Sequence, residues 1–298
     1  MYRKHIHTTR LEIAYLEDGP EDGAPVLLLH GFPDDATGWR DVMAGLAAQG
    51  YRALAPYIRG CGLTRFLRTD TPRAGDFAAL GQDAVDFVDA LALNNLIVVG
   101  QDWGSPTAEV VAMQRPDRVR RLVKLNWYGV YSMAEMARAR EFSYPQLRAL
   151  WYVWMFNTPL GEMTLRNDRA GLARALWTEW SPTWDAAARE AALGAVAGSF
   201  DGEDWVRVAL SAYRVGITDA EMDRADDALR ERLKEPPPCA CEAVILNGAD
   251  DGVERTPLEE TALARYFPAG ARVETLDGVG HFPQRELPVA VIRFILGQ

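Results

Sequence analysis

Asp102 stands between glycines in Gly100-Gln101-Asp102-Trp103-Gly104, directly after the apolar run Leu96-Ile97-Val98-Val99. Four consecutive apolar residues, three of them β-branched, predict a strand buried on both faces of a parallel sheet. The stretch from Ala108 to Met113 has the composition of a helix. Strand, tight turn and helix place Asp102 just past the strand's carboxyl end, in a sharp turn that the glycines permit and that lifts its side chain clear of the sheet. A carboxylate is already ionised near neutral pH, so it can displace a leaving group at saturated carbon and form an ester directly. An aspartate at a strand-to-helix junction can also be a plain N-cap or turn residue. Partners elsewhere in the chain decide between these readings.

Two such partners follow. Gly248-Ala249-Asp250-Asp251-Gly252 comes after the apolar run Ala243 to Asn247, and Gly278-Val279-Gly280-His281-Phe282 comes after an expected strand from Arg272 to Leu276. An imidazole can deprotonate a water that attacks an ester, and a second carboxylate can orient that ring and stabilise its cation. His30 reads as a structural loop histidine, and His5 and His7 as incidental.

The elements that must position these groups alternate between strand and helix. Leu11 to Leu16 alternates as a half-exposed strand of an edge hairpin would, and Glu17 to Gly23 is a polar turn. Val26 to Leu29 is a second wholly apolar strand, feeding His30-Gly31-Phe32-Pro33, and Trp39, Val42, Met43 and Leu46 recur at helical spacing. Arg52 to Ala55, Ala84 to Leu93 and Val119 to Leu125 continue the pattern, which predicts an α/β fold with a mostly parallel, doubly wound sheet. From about Tyr128 to Glu235 there is no convincing strand but many aromatics, and Pro236-Pro237-Pro238 ends the stretch. Residues 1–127 and 237–298 are therefore expected to form the core, with residues 128–236 as a helical cap over the strands' carboxyl ends, where open α/β sheets bind ligands. A helix through Leu258 to Tyr266 and a closing helix from Val289 to Leu296, with Val291, Ile292 and Ile295 facing the core, complete the chain.

Composition bounds the function. The 298 residues are 48% hydrophobic, enough for a large core, and 42 acidic against 32 basic side chains leave a net charge of −10. That balance argues against nucleic acid or an anionic membrane as partner. No stretch has the apolar core of a signal peptide or a membrane span. Of the three cysteines, Cys239 and Cys241 are one residue apart, a spacing poor for a bridge between neighbours and for a zinc knuckle. A reduced, cytoplasmic protein without metal or cofactor is expected. The oligomeric state is open, a homodimer included.

The order Asp102, Asp251, His281 matches the nucleophile, acid and histidine of the α/β-hydrolase fold, and the turn at Asp102 resembles its nucleophile elbow with aspartate in place of serine. Over nearly its whole length the sequence resembles the branch of that superfamily holding soluble epoxide hydrolases and haloalkane dehalogenases. His30-Gly31-Phe32-Pro33 resembles the H-G-F-P of epoxide hydrolases, and Gln101-Asp102-Trp103-Gly104 resembles both groups. The resemblance implies a cofactor-free hydrolase in which Asp102 attacks carbon and His281, oriented by Asp251, activates the water that frees the ester. Asp251 fits the family's G-x-x-D spacing from Gly248, with Asp250 in reserve; Asn126 occupies the neighbourhood where some relatives carry an alternative acid. Backbone N–H groups of Phe32 and Trp103 are expected to form an oxyanion hole, worth ~3 kcal/mol per donor.

An epoxide oxygen needs a proton donor to leave, and two cap tyrosines supply it in the epoxide hydrolases. Ser211-Ala212-Tyr213-Arg214 resembles the second and Trp151-Tyr152 the first, with Tyr128, Tyr131 and Tyr144 as neighbouring candidates. Trp103, Phe32 and Trp151 are expected to line the site of a small apolar or aromatic epoxide. In a haloalkane dehalogenase Trp103 would instead donate to a halide, with Trp151, Trp154 or Trp177 as second donor, but Phe32 stands where many dehalogenases carry asparagine. Tryptophan after Asp102 argues against fluoroacetate cleavage, which wants arginine there. A hydrolase-fold binding protein with little turnover is the alternative from another class.

Overall fold

In the computed structural model, which describes residues 1–127, 144–253 and 260–298, nine strands form a single sheet. They are β1 (Tyr2–His7), β2 (Leu11–Asp18), β3 (Ala24–Leu29), β4 (Tyr51–Pro56), β5 (Arg65–Phe66), β6 (Leu96–Gln101), β7 (Val119–Leu125), β8 (Glu242–Gly248) and β9 (Ala271–Leu276). Their order is β1-β2-β4-β3-β6-β7-β8-β9, with β5 against β2. From β4 to β9 along this order all pairs are parallel, whereas β2 is antiparallel to β1, β4 and β5.

Successive side chains of a strand point to opposite faces, and here both faces are covered. Val26, Leu28, Ile97, Val99, Val123 and Leu125 belong to one apolar cluster, completed by Val42, Met43 and Leu46 of helix Arg40–Ala47 and by Val291, Ile292 and Ile295 of helix Pro288–Leu296. Leu27, Leu29, Leu96, Val98 and Leu122 belong to the other, against Val85 and Val88 of helix Phe77–Ala90 and Ala108 and Val111 of helix Gly104–Gln114. Every residue of β6 is buried, which is why its sequence reads as an unbroken apolar run.

The stretch from Leu11 to Leu16 corrects an expectation. It is not half-exposed: Leu11, Ile13, Ala14, Tyr15 and Leu16 are all buried, because β2 lies between β1 and β4 with β5 alongside. Glu17, expected to open a polar turn, belongs to this strand instead and is buried, meeting Lys4 at 2.9 Å and Arg52 at 2.8 Å. The exposed edge is β1.

Two features position the site. The chain leaves β3 toward β4 and leaves β6 toward β7, on opposite sides, although β3 and β6 are neighbours. Such a reversal opens a crevice between two carboxyl ends. Between β7 and β8 the described residues are helical, with helices Trp151–Phe156, Pro159–Asn167, Arg169–Trp180, Ala186–Val196 and Glu203–Arg214 and no strand. Thr158, Asp168 and Asp185 each accept a backbone N–H at a helix start, which sets where the segment turns. Phe156, Trp177, Trp180 and Trp205 from these helices share a cluster with Phe32 and Trp103. Tyr128, Tyr131 and Leu258 lie outside the described residues; the helix expected through Leu258 is described over Glu260–Tyr266.

Candidate active site

Asp102 sits at the crest of a turn with φ +52°, a left-handed conformation that a non-glycine residue adopts at a cost and that tends to mark functional turns. The surrounding glycines are demanded by contact. A Cβ on Gly100 would fall 1.9 Å from the carbonyl oxygen of Gly104, and one on Gly104 would fall 2.0 Å from that of Leu29 at the end of β3. The turn is tied down by the Asp102 N–H on the Leu125 carbonyl (3.2 Å) and the Ser105 N–H on the Asp102 carbonyl (2.9 Å).

The two carboxylate oxygens of Asp102 have different surroundings. Oδ1 accepts the backbone N–H of Phe32 at 2.8 Å, and a Cβ on Gly31 would lie 2.3 Å from that oxygen, so glycine is what lets the β3 loop approach. Oδ2 faces His281 Nε2 at 3.4 Å. One oxygen is held by a backbone donor; the other points to the imidazole.

His281 Nδ1 lies 3.0 Å from Asp251 Oδ2, and Asp251 is fully buried. Of the two adjacent aspartates it is Asp251 that meets the ring; Asp250 is half-buried, with its N–H on the Val279 carbonyl. Asp251 Oδ2 also accepts Asn126 Nδ2 at 2.6 Å, and Oδ1 accepts the Val253 N–H at 2.8 Å. Asn126, itself at φ +48°, donates to the Gly280 carbonyl as well and accepts from the Gly248 N–H, so it ties together the ends of β7 and β8 and the His281 loop. Sequence reasoning placed Asn126 near the site but assigned it nothing; an asparagine directly after a buried strand, where left-handed backbone is common, was the signal.

The His281 main chain is held by the Trp180 carbonyl, the Ser181 hydroxyl and Gln101 Nε2. Burial alone would lower the imidazole pKa. The carboxylates of Asp251 and Asp102, one at each ring nitrogen, outweigh it and raise the pKa to about 10. The proton on the ring is thus held by its two carboxylate neighbours, and neutralising one of them removes part of what holds it.

Aromatic side chains close over Asp102. The Tyr213 ring, in the last turn of helix Glu203–Arg214, lies 5.3 Å from those of Phe32 and Tyr152 and 5.4 Å from that of Trp103. Its hydroxyl interacts electrostatically with Tyr152, with Asp102 and with the Trp103 side chain. Burial, then the neighbouring Tyr152 and the Asp102 charge, push that hydroxyl well above its ordinary pKa, with the Trp103 donor working the other way. Tyr152 is buried, 5.2 Å from the Trp180 ring, which in turn stands edge-on to His281 at 4.9 Å.

A profile described as alpha/beta hydrolase fold matches residues 24–286. The chain belongs to the α/β-hydrolase family. A crystal structure from Klebsiella pneumoniae subsp. pneumoniae, provisionally described as an epoxide hydrolase, superposes on this α/β-hydrolase with a TM-score of 0.89 at 32% identity, covering 99% of this chain and 96% of that one. An epoxide hydrolase of Caballeronia sordidicola is 36% identical over 124 residues, 41% of this chain and 36% of that protein. A haloalkane dehalogenase of Mycolicibacterium paratuberculosis is 38% identical over 126 residues, 41% of this chain and 40% of that protein. In these two matches the chain spans well under half of the relative's length.

Other residues of the α/β-hydrolase that the sequence singled out lie elsewhere. His30 is buried, with Nδ1 at the Gly31 carbonyl (3.0 Å) and Nε2 accepting the Ile58 N–H (3.2 Å), a neutral ring that braces the β3 loop. Tyr144 is 89% exposed. Trp151 packs edge-on against Tyr152 but gives its indole N–H to Glu179 (2.8 Å), Trp177 gives its own to the Pro33 carbonyl (3.1 Å), and Trp154 is 37% exposed. Trp180, which the sequence did not single out as a donor, has a buried indole N–H with no hydrogen-bond partner among the described residues. Among the described residues no cluster of three or more His, Cys, Asp or Glu side chains is placed to hold a metal, and no helix is long and apolar enough to cross a membrane.

Proposed function

We propose that this α/β-hydrolase converts an epoxide to a vicinal diol through a covalent ester on Asp102. The observation that carries the reading is the shared surroundings of three groups: the Tyr213 ring lies 5.3 Å from that of Tyr152, and its hydroxyl feels both Tyr152 and the charge of Asp102. A nucleophile and two tyrosine hydroxyls, each able to donate, in one closed apolar site suit a leaving group that is an oxygen bonded to carbon. The segment of residues 128–236, helical in its described part, acts as the cap that brings the tyrosines, over a core of residues 1–127 and 237–298.

In the first half-reaction Asp102 Oδ2 attacks an epoxide carbon while Tyr213 or Tyr152 gives a proton to the ring oxygen, leaving an ester and a tyrosinate. The ester has no charge, so the His281 imidazolium loses one of the two carboxylates that hold its proton, and that proton returns to the tyrosinate. The neutral ring then takes a proton from water, and the hydroxide adds to the ester carbonyl carbon. Oδ1, already on the Phe32 N–H, becomes the oxyanion, with the Trp103 N–H as second donor. Collapse expels the diol alkoxide, which receives the proton of the new carboxyl group, and the resting charges are restored. Asp251, held by Asn126, keeps the ring in place throughout. Phe32 and Trp103 belong to the walls of a site for a small apolar or aromatic epoxide, and Trp151 backs Tyr152 from behind, with its indole N–H on Glu179.

A halide leaving group is the second reading, favoured by the unpartnered indole N–H of Trp180. Diol formation from styrene oxide, set against bromide release from bromobutane, separates the two. Turnover of the epoxide without bromide release supports the proposal, bromide release alone supports the second reading, and turnover of neither supports a binding protein.

A further inference from the structure

Cys239 and Cys241 lie in the connector that leads from the proline run into β8, away from the carboxyl ends of the strands that carry Asp102. In extended backbone, residues two apart face the same side, and a bend at Cys241 draws the two side chains together. Their sulfurs are 3.4 Å apart and hydrogen-bonded, and both residues are half-buried, packed against the apolar cluster that holds Ala243, Ile245, Tyr266 and Phe267. Cys239 also lines a shallow pocket with Leu233, Pro236, Pro237 and Phe267 and is itself only half-buried. The spacing that looks unpromising in the sequence is therefore a near-contact pair in the fold.

The pair is polarised. The hydrogen bond between the two sulfurs lowers the Cys239 thiol pKa against the effect of its burial and, with burial, raises that of Cys241; the buried Lys124 ammonium, ion-paired with Glu109, adds to the lowering at Cys239, while the Glu109 carboxylate opposes it. Cys61, by contrast, is fully buried and its thiol is pushed well up by burial. A nucleophilic sulfur follows its thiolate character and its exposure.

We propose that Cys239 and Cys241 form a dithiol site that a hydroperoxide oxidises to an intrachain disulfide. The Cys239 thiolate attacks the peroxide oxygen, the O–O bond breaks, and water or an alcohol leaves with a sulfenic acid on Cys239. Cys241 sulfur then displaces that hydroxyl as water. Two electrons pass from the thiols to the peroxide, and both thiol protons end on oxygen. Closure shortens the sulfur separation to about 2.0 Å, and so small a ring stays easily reduced by an external dithiol. The ligand class is thus a small hydroperoxide or another two-electron thiol oxidant.

Intact-mass measurement on the reduced full chain during graded addition of hydrogen peroxide tests this. The expected result is loss of two hydrogens, mapped by peptide analysis to a Cys239–Cys241 link, reversed by dithiothreitol and preceding any change at Cys61. In Cys241→Ser the sulfenic acid on Cys239 persists and is trapped by dimedone. Independent oxygen gain at the two cysteines in the wild-type chain, or a linkage between two chains in place of the internal one, overturns the proposal. The wild-type mapping stands whether or not the variant folds.

Discussion

Asn126 Nδ2 lies 2.6 Å from Asp251 Oδ2, the oxygen that also meets His281 Nδ1 at 3.0 Å. A single carboxylate oxygen thus serves the imidazole and the amide, and the amide in turn spans the Gly248 N–H and the Gly280 carbonyl. Asn126→Ala leaves a buried carboxylate short of a donor, a loss of about 1.5–3 kcal/mol for a charge-assisted hydrogen bond. On the proposed mechanism the ester-hydrolysis step slows by roughly tenfold or more, while ester formation changes little. Rapid-quench measurement of the two half-reactions checks this; equal slowing of both would remove Asn126 from the positioning of Asp251.

The His281 charge gives a pH signature in stability. Its folded pKa, about 10, exceeds the ordinary 6.5, so the folded state binds the extra proton. The stabilisation is complete below pH 6.5 and is lost as the pH rises through about 10. Chemical denaturation across this range is expected to show a fall in wild-type stability that is smaller in His281→Gln. Identical slopes would contradict the account of the ring between two carboxylates.

The same charge accounting applies to turnover. With Asp102 esterified the ring keeps one anionic neighbour, so the apparent pKa governing ester hydrolysis lies below the resting value of about 10. The pH profile of the hydrolysis step in single-turnover experiments reads it directly. In His281→Gln the ester accumulates and appears as a mass increase of one substrate on the intact chain.

Tyr213→Phe removes the hydroxyl that faces Asp102 and Tyr152. Ring opening is expected to slow by ~10²-fold or more, in the range of general acid catalysis, with ester hydrolysis little affected, and Tyr152→Phe to act on the same step. Unchanged ring opening in the double variant would take both tyrosines out of the mechanism.

Gly104→Ala tests the elbow as a packing constraint. The added Cβ meets the Leu29 carbonyl at 2.0 Å, backbone against backbone, so neither side can give way cheaply. A stability loss of about 1–3 kcal/mol or more is expected from such overpacking, measured by urea denaturation. A variant as stable as wild type would mean that the crossing of the turn over β3 is looser than described.

The parallel strands were legible because both of their faces are covered, so β3, β6 and the middle of β8 read as apolar runs. β2 misled for a different reason: Glu12 gives it the look of a half-exposed strand, and Glu17, which reads as the start of a turn, is buried against Lys4 and Arg52, pairings made by residues distant along the chain. The chain order of Asp102, Asp251 and His281 could be read, and the structure brings these side chains together. What sequence spacing does not carry is which atoms face each other across elements. Asn126 on Asp251, the free Trp180 indole and the touching sulfurs of Cys239 and Cys241 all arise that way.

The account centres on a bond between Asp102 and substrate carbon, and the origin of the new diol oxygen tests it most directly. A single turnover of styrene oxide by excess enzyme in heavy-oxygen water should yield a diol free of label, with the label left in the Asp102 carboxylate. A diol that carries the solvent label after one turnover would contradict it.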